Sequence, residues 1–223
     1  ATRPAADESH MLHPEIERLD RDDMVALQRR KLGDLGKRLA ASPEWATHFG
    51  KADMSPADLA APDGLANAPT LEKTDLPERY PFPLLTVEMP QVARFFATSG
   101  TTGLPVMFGF TDRDLTVTLA DQVARLLHCL GLRPGDRAYN GYGYGLWIGG
   151  PAFDIGLHRL GATCFPVGPG RGDLVVEWLR DQAWDFAAVS PLWLMTLTRI
   201  AREHGIDPRR DWRLSLVGIG GQS

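Results

Sequence analysis

Residues 184–205 read WDFAAVSPLWLMTLTRIAREHG. The first six are apolar except for Asp185, a pattern that predicts a strand of a covered, parallel sheet. Ser190 then supplies a hydroxyl cap, and Pro191 takes the first helical position, where a missing N–H costs nothing. Gly205 stands beyond the last turn. A buried strand leading at once into a capped helix is the repeating piece of an α/β fold, and it sets how the neighbouring segments are read.

Upstream, DLVVEWLRDQ (173–182) predicts a helix opened by Asp173 as its cap, and ATCFPVG (162–168) a strand. GLWIGGPAFDIGLHRLG (145–161) is expected to be helical, with Pro151 near its start. RAYNGY (137–142) is a short strand, and Thr116–Leu130 places apolar residues at 119, 123, 126, 127 and 130 on one helical face. Gly131 and Pro134 end that helix. Downstream, WRLSLVGIGG (212–221) reads as a further strand and a glycine turn. Residues 86–223 are therefore expected to form an α/β subdomain, a mainly parallel sheet flanked by helices.

Residues 1–85 have a different texture. EIERLDRDDMVALQRRKLGDLGKRLAAS (15–42) predicts helix with breaks at its glycines, and a Pro- and Ala-rich stretch from Ser55 to Pro83 predicts loops with short helical turns. This part reads as a helical arm with lead-in loops.

The net charge is −4, from 24 basic and 28 acidic residues, so no global basic surface attracts nucleic acid or an anionic membrane. No run reaches the ~18 apolar residues of a membrane span. Cys129 and Cys164 show no disulfide or metal spacing and are expected to be small buried residues in a reducing, cytoplasmic setting. The six histidines lack metal-ligand spacing and read as surface or capping residues, so no protein metal site is expected. Asp154 and His158, four apart, read as a surface pair, and RGD at 171–173 as a loop leading to a cap. The final LVGIGGQS stops where, in an α/β sheet, ligands bind and the next helix begins. It is either a ragged tail or the middle of a longer polypeptide, and the second is the expectation.

Between two strand-like runs lies FFATSGTTGLP (95–105). It lacks the lysine ending of a Walker loop and leads into a strand instead of a helix. Its glycines permit close backbone approach and its hydroxyls are neutral donors, which suits phosphate oxygens; an ordinary flexible turn is the other reading. The combination of ATSGTTGLPVMFGFT (97–111), NGYGYGLWIGGPAFDIGLHRLGATCFPV (140–167) and AVSPLWLMTL (188–197) resembles the phenylacetate–CoA ligase family of AMP-forming adenylating enzymes. The arm resembles it too, through RLDRDDMVALQRRKLGDLGKRL (18–39) and APTLEKTDLPERYPFPLL (68–85).

That resemblance implies that Thr98, Ser99, Gly100, Thr101, Thr102 and Gly103 hold the β- and γ-phosphates of ATP, with Thr101 and Thr102 as the catalytic candidates. It implies that Tyr142, Gly143, Tyr144 and Gly145 wall the acyl pocket, where Trp147 and Phe153 would add aromatic surface. Gly220 and Gly221 would lie against adenine. The implied ligands are ATP, Mg²⁺, CoA and a small aromatic or arylacetic acid. In two places the chain departs from the family pattern. Leu104 stands where a lysine or arginine is common, and GGQS replaces an acidic version of the adenine shelf. The family's ribose-binding aspartate, hinge residue and lid lysine would fall after Ser223, so this chain alone is expected to be inactive. The rival readings are an adenylating enzyme that acts without CoA, through a carrier protein or by stopping at the adenylate, and a non-catalytic nucleotide-binding fragment.

Overall fold

The computed structural model describes residues 11–72, 75–76, 81–82, 84–98, 100 and 105–221. Within them the chain packs as two units, one over 11–12, 96–98 and 110–221, the other over 13–95, 100 and 105–109.

The first unit is built on four short strands, β3 (Arg137–Asn140), β4 (Thr163–Phe165), β5 (Trp184–Val189) and β6 (Leu214–Ile219). Their order is β4-β3-β5-β6 and every pairing is parallel, with Ala138 opposite Cys164 on one side and Phe186 on the other. The intervening helices are α5 (Ala120–Leu130), α6 (Gly149–Leu160), α7 (Gly172–Asp181), α8 (Pro191–Glu203) and the short α9 (Pro208–Asp211). Alternate strand residues serve opposite faces. Tyr139, Ala187 and Val189 share a core with Val176 and Leu179 of α7 and Leu197 of α8. Ala138, Phe186 and Ala188 share the other with Leu127 of α5 and Leu157 of α6. Fully buried side chains such as Phe186, Leu127 and Leu197 each contribute about 1.5–3 kcal/mol. The predicted α/β architecture is what the chain forms.

The α8 cap is as expected: Ser190 Oγ accepts from the Trp193 amide at 3.2 Å, with Pro191 in the first turn. The α7 cap is not. Arg171, in the left-handed region at φ +48°, holds the cap position, and Asp173 sits inside the first turn with its carboxylate exposed. There it favours the helix through the N-terminal dipole instead of a cap hydrogen bond. The helix before β3 begins earlier than its apolar period showed, as a π-helical stretch over Asp114–Leu119 that runs into α5. Thr111 and Asp114 pin its start: the Asp114 carboxylate accepts from the Thr111 amide and hydroxyl at 2.9 and 2.8 Å.

The second unit contains α1 (Pro14–Glu17), α2 (Arg21–Ala40), α3 (Pro43–Gly50), a 3₁₀ turn over Pro56–Ala60 and α4 (Gly64–Asn67). The breaks expected at the glycines of α2 do not occur. Gly36 is there for proximity: a Cβ on it would lie 2.3 Å from the Pro56 carbonyl oxygen, so only glycine lets the 3₁₀ turn pack against the helix. Leu39, Phe49 and Leu59 close the core at that crossing. β1 (Val92–Ala97) and β2 (Met107–Thr111) pair as a separate two-stranded sheet, and each has residues in both units.

Two residue classes depart from expectation. Cys129 is exposed and Cys164 half-buried, and His48 and His128 are buried, because helix packing decides what a single side chain meets.

Candidate functional site

In a parallel sheet, neighbouring strands whose outgoing connections run in opposite directions leave a crevice at their carboxyl ends. Here β3 leaves through α6 towards β4, while β5 leaves through α8 towards β6, so the crevice opens between β3 and β5. The chain leaving β3 at that point is Gly141-Tyr142-Gly143-Tyr144-Gly145.

Tyr142 sits over the crevice. Its hydroxyl lies 3.0 Å from the carbonyl oxygens of both Val189, at the end of β5, and Gly220, just past β6, and donates across the pair. Its ring stacks on Phe153 of α6, with centroids 5.2 Å apart and planes within 10°. Two hollows meet at this ring. One, of about 710 Å³, is bounded by Tyr142, Trp147, Phe153, Ser190 and the glycine-rich run Gly218–Gly221. The other, of about 350 Å³, is bounded by Ala97, Tyr142, Gly143, Gly145, Leu146 and Trp147. Leu126 and Leu130, placed by the sequence on the apolar face of their helix, line the larger hollow with 50% and 41% of their surface exposed.

The loop after β3 is held from below. Gly150, in the first turn of α6, donates its amide to the Gly143 carbonyl at 3.2 Å, and a Cβ at Gly150 would stand 2.4 Å from that oxygen. Asn140, fully buried, donates from Nδ2 to the Tyr144 hydroxyl and to the Gly150 carbonyl, both at 2.8 Å, and its Oδ1 accepts from the Tyr142 amide at 3.2 Å. Cys164 and Asp154 lie in the electrostatic surroundings of the Tyr144 hydroxyl. Burial, then the Asp154 carboxylate, pushes the Cys164 thiol up to about 12, so it stays protonated at neutral pH. Burial, with Cys164 and Asp154 nearby, likewise raises the Tyr144 phenol above its ordinary value. The surface pair expected of Asp154 and His158 does not form among the described residues; Asp154 instead lies in the surroundings of Cys164.

Of the residues singled out in the sequence, Tyr142, Gly143, Gly145, Trp147, Gly220 and Gly221 border these two hollows, and Tyr144 is tied to the same loop through Asn140. Trp147 is 59% exposed, a free aromatic face and not core. Thr98 follows β1, whose last amide, at Ala97, donates to the Leu146 carbonyl at 2.8 Å, so the stem of the hydroxyl loop is bonded to the tyrosine loop. Gly100 has φ +69°, a conformation that favours glycine. Ser99, Thr101, Thr102, Gly103 and Leu104 lie outside the described residues, as do Gln222 and Ser223. Asn140 escaped the sequence reading as a site residue, as did the place at the site of Ser190, read there as a helix cap, and of Cys164, read as a small buried residue. The only signal was a polar residue at the end of an apolar strand, which is where such sheets place their working side chains.

No family model matches the chain. Among curated proteins it is 37% identical over 203 residues to a phenylacetate–coenzyme A ligase of Thermus thermophilus, covering 89% of this chain and 44% of the relative. It is 37% identical to the Pseudomonas putida ligase of the same name and 36% to that of Escherichia coli, over 81% and 82% of the chain. By sequence, the chain is similar to phenylacetate–CoA ligases over most of its own length. It spans between 40% and 44% of the length of these three phenylacetate–CoA ligases. Among solved structures, a 2-hydroxyisobutyryl-CoA ligase in complex with 2-HIB-AMP and CoA matches with a TM-score of 0.87 and 25% identity, covering 100% of this chain and 48% of that one. The same ligase in an open conformation matches equally well at 24% identity, a likeness of fold.

Proposed function

We propose that this chain is the nucleotide- and acyl-binding portion of an AMP-forming acid–CoA ligase acting in the cytoplasm. The observation that carries the reading is the hollow of about 710 Å³ at the sheet's crevice, with a glycine-rich strand end on one side and aromatic rings on the other. A flat, mostly backbone shelf suits a purine face, and aromatic walls suit an aryl or arylacetic acid by offset stacking. The family's printed activity, and a structural relative described with an acyl-adenylate and CoA, support the same reading.

In this reading the carboxylate of the acid attacks the α-phosphorus of ATP, the bond to the bridging oxygen breaks, and pyrophosphate leaves. The CoA thiol, giving up its proton, then attacks the acyl carbon, and the bond to AMP breaks so that the thioester forms and AMP leaves. Thr98–Gly103 would hold the β- and γ-phosphates, with Thr101 and Thr102 as the donors closest to the departing pyrophosphate. Gly220 and Gly221 would lie against the base, and the loop from Tyr142 to Gly145, with Trp147, would enclose the acyl group. The protein's share of the first step is positioning and neutral hydrogen-bond donation. No cluster of three acidic, histidine or cysteine side chains suited to a metal occurs among the described residues. In this reading Mg²⁺ accompanies the ATP phosphates.

The test is ATP–pyrophosphate exchange over a panel of aromatic acids, with the protein in its full natural length. Replacing Thr101 and Thr102 together by alanine is expected to abolish exchange without loss of folding, each donor being worth about 2–4 kcal/mol in the transition state. Undiminished exchange in that variant would remove the phosphate role of the loop. Hydroxamate trapping, with and without CoA, separates the CoA ligase from an enzyme that stops at the adenylate.

A further inference from the structure

The tyrosine loop carries the acyl wall in the function proposed above, and its glycines leave it without stiffness of its own. Something else has to hold it. Asn140 ends β3, the strand from which the loop departs, and its side chain is fully buried. We infer that Asn140 is the positioning residue of the acyl pocket, fixing the loop that carries Tyr142 and Tyr144 relative to the first turn of α6.

Every polar group of the amide is in use. The two hydrogens of Nδ2 go to the Tyr144 hydroxyl and the Gly150 carbonyl, and Oδ1 takes the Tyr142 amide proton. A backbone carbonyl only accepts and a backbone amide only donates, so these partners also fix which end of the side chain is which. The main-chain oxygen of Asn140 accepts from the Gly168 amide at 3.0 Å, which ties the loop after β4 to the same point. The contacts reach the first tyrosine through its backbone and the second through its hydroxyl, so one buried side chain sets both. Tyr144, accepting from Asn140, has Cys164 and Asp154 of α6 as its electrostatic neighbours. Asn140 makes no contact with Gly218–Gly221 itself and reaches that shelf only at one remove, through the Tyr142 hydroxyl on the Gly220 carbonyl, so its loss falls first and most on the loop.

The inference rests on the acid-activating reading, and the experiment separates the two. With full-length protein, the exchange assay is run with phenylacetate as the acid, or with whichever acid of the panel ranks first. Asn140→Ala is expected to raise the KM for the acid about tenfold, the scale of one or two buried hydrogen bonds, while the KM for ATP stays within about twofold. Tyr144 is 40% exposed, so Tyr144→Phe should fold even if Asn140→Ala does not, and it removes just the hydroxyl that Asn140 holds. It is expected to raise the acid KM several-fold, and the double variant should be no worse than Asn140→Ala alone. Equal rises in both KM values, an unchanged acid KM in Tyr144→Phe, or additive effects in the double variant would overturn the positioning role while leaving the activity standing. Wild-type protein that shows no acid-dependent exchange would remove the activity and the inference together.

Discussion

Tyr142 shows how one side chain gains a position that its sequence neighbourhood does not dictate. Its hydroxyl reaches carbonyls 47 and 78 residues further along the chain, so the ends of β5 and β6 are tied to the loop after β3. Tyr142→Phe keeps the stack on Phe153 and loses only that tie. It is expected to cost about 1 kcal/mol in urea denaturation and to weaken nucleotide binding, measured by titration, more than a loss of ring contact would. The two thiols make a second contrast. Cys129 is exposed, whereas the Cys164 thiol, pushed up to about 12, is thiolate in roughly one molecule in ten thousand at pH 8. Iodoacetamide should therefore label Cys129 first, and peptide mass analysis after brief exposure would show it. The tyrosines were legible as site residues through the resemblance that their glycine-spaced run carries. Their hydrogen-bond partners were not, since a contact across so much chain leaves no periodicity in the sequence.

At the scale of elements, α5 divides its apolar residues between two tasks. Leu127 is fully buried beneath the sheet, but Leu126 and Leu130 face the larger hollow. Leu127→Ala is expected to destabilise the protein by about 2–5 kcal/mol in thermal or chemical unfolding. Leu126→Ala should leave stability within about 0.5 kcal/mol, its effect appearing in ligand binding instead. An apolar stripe looks the same in sequence whether a helix or a ligand covers it, which is why the period was readable and its division was not. The strands and α8 were legible for a converse reason: an apolar run that ends in Ser-Pro leaves few alternatives to strand, cap and helix. Asp173 was misplaced because an acidic residue near a helix start favours the helix from the cap or from the first turn, and the sequence does not distinguish the two.

For the molecule as a whole, burial of hydroxyl and thiol groups sets an alkaline limit. Burial pushes the Tyr139 phenol from 10.0 to about 12, and the Cys164 thiol moves from 9.0 to about 12. Between about pH 9 and 12 the unfolded chain has released protons that the folded chain still holds, so stability is intact below that window and falls as pH rises through it. The midpoint of thermal unfolding is expected to drop across that range, and Cys164→Ala should shallow the early part of the decline. The parallel sense of the strands was legible but their order β4-β3-β5-β6 was not, since hydrophobic pattern gives strands without their neighbours. That order brings one aromatic ring to the meeting point of two hollows. Anyone reshaping the protein for a bulkier guest inherits a coupling there, since a change made at Tyr142 to enlarge one chamber moves a wall of the other. Evolution along this lineage faces the same constraint, and variation that alters the choice of acid without disturbing its companion ligand should collect at Phe153, which borders the larger hollow alone, and not on the partition that Tyr142 and Trp147 share.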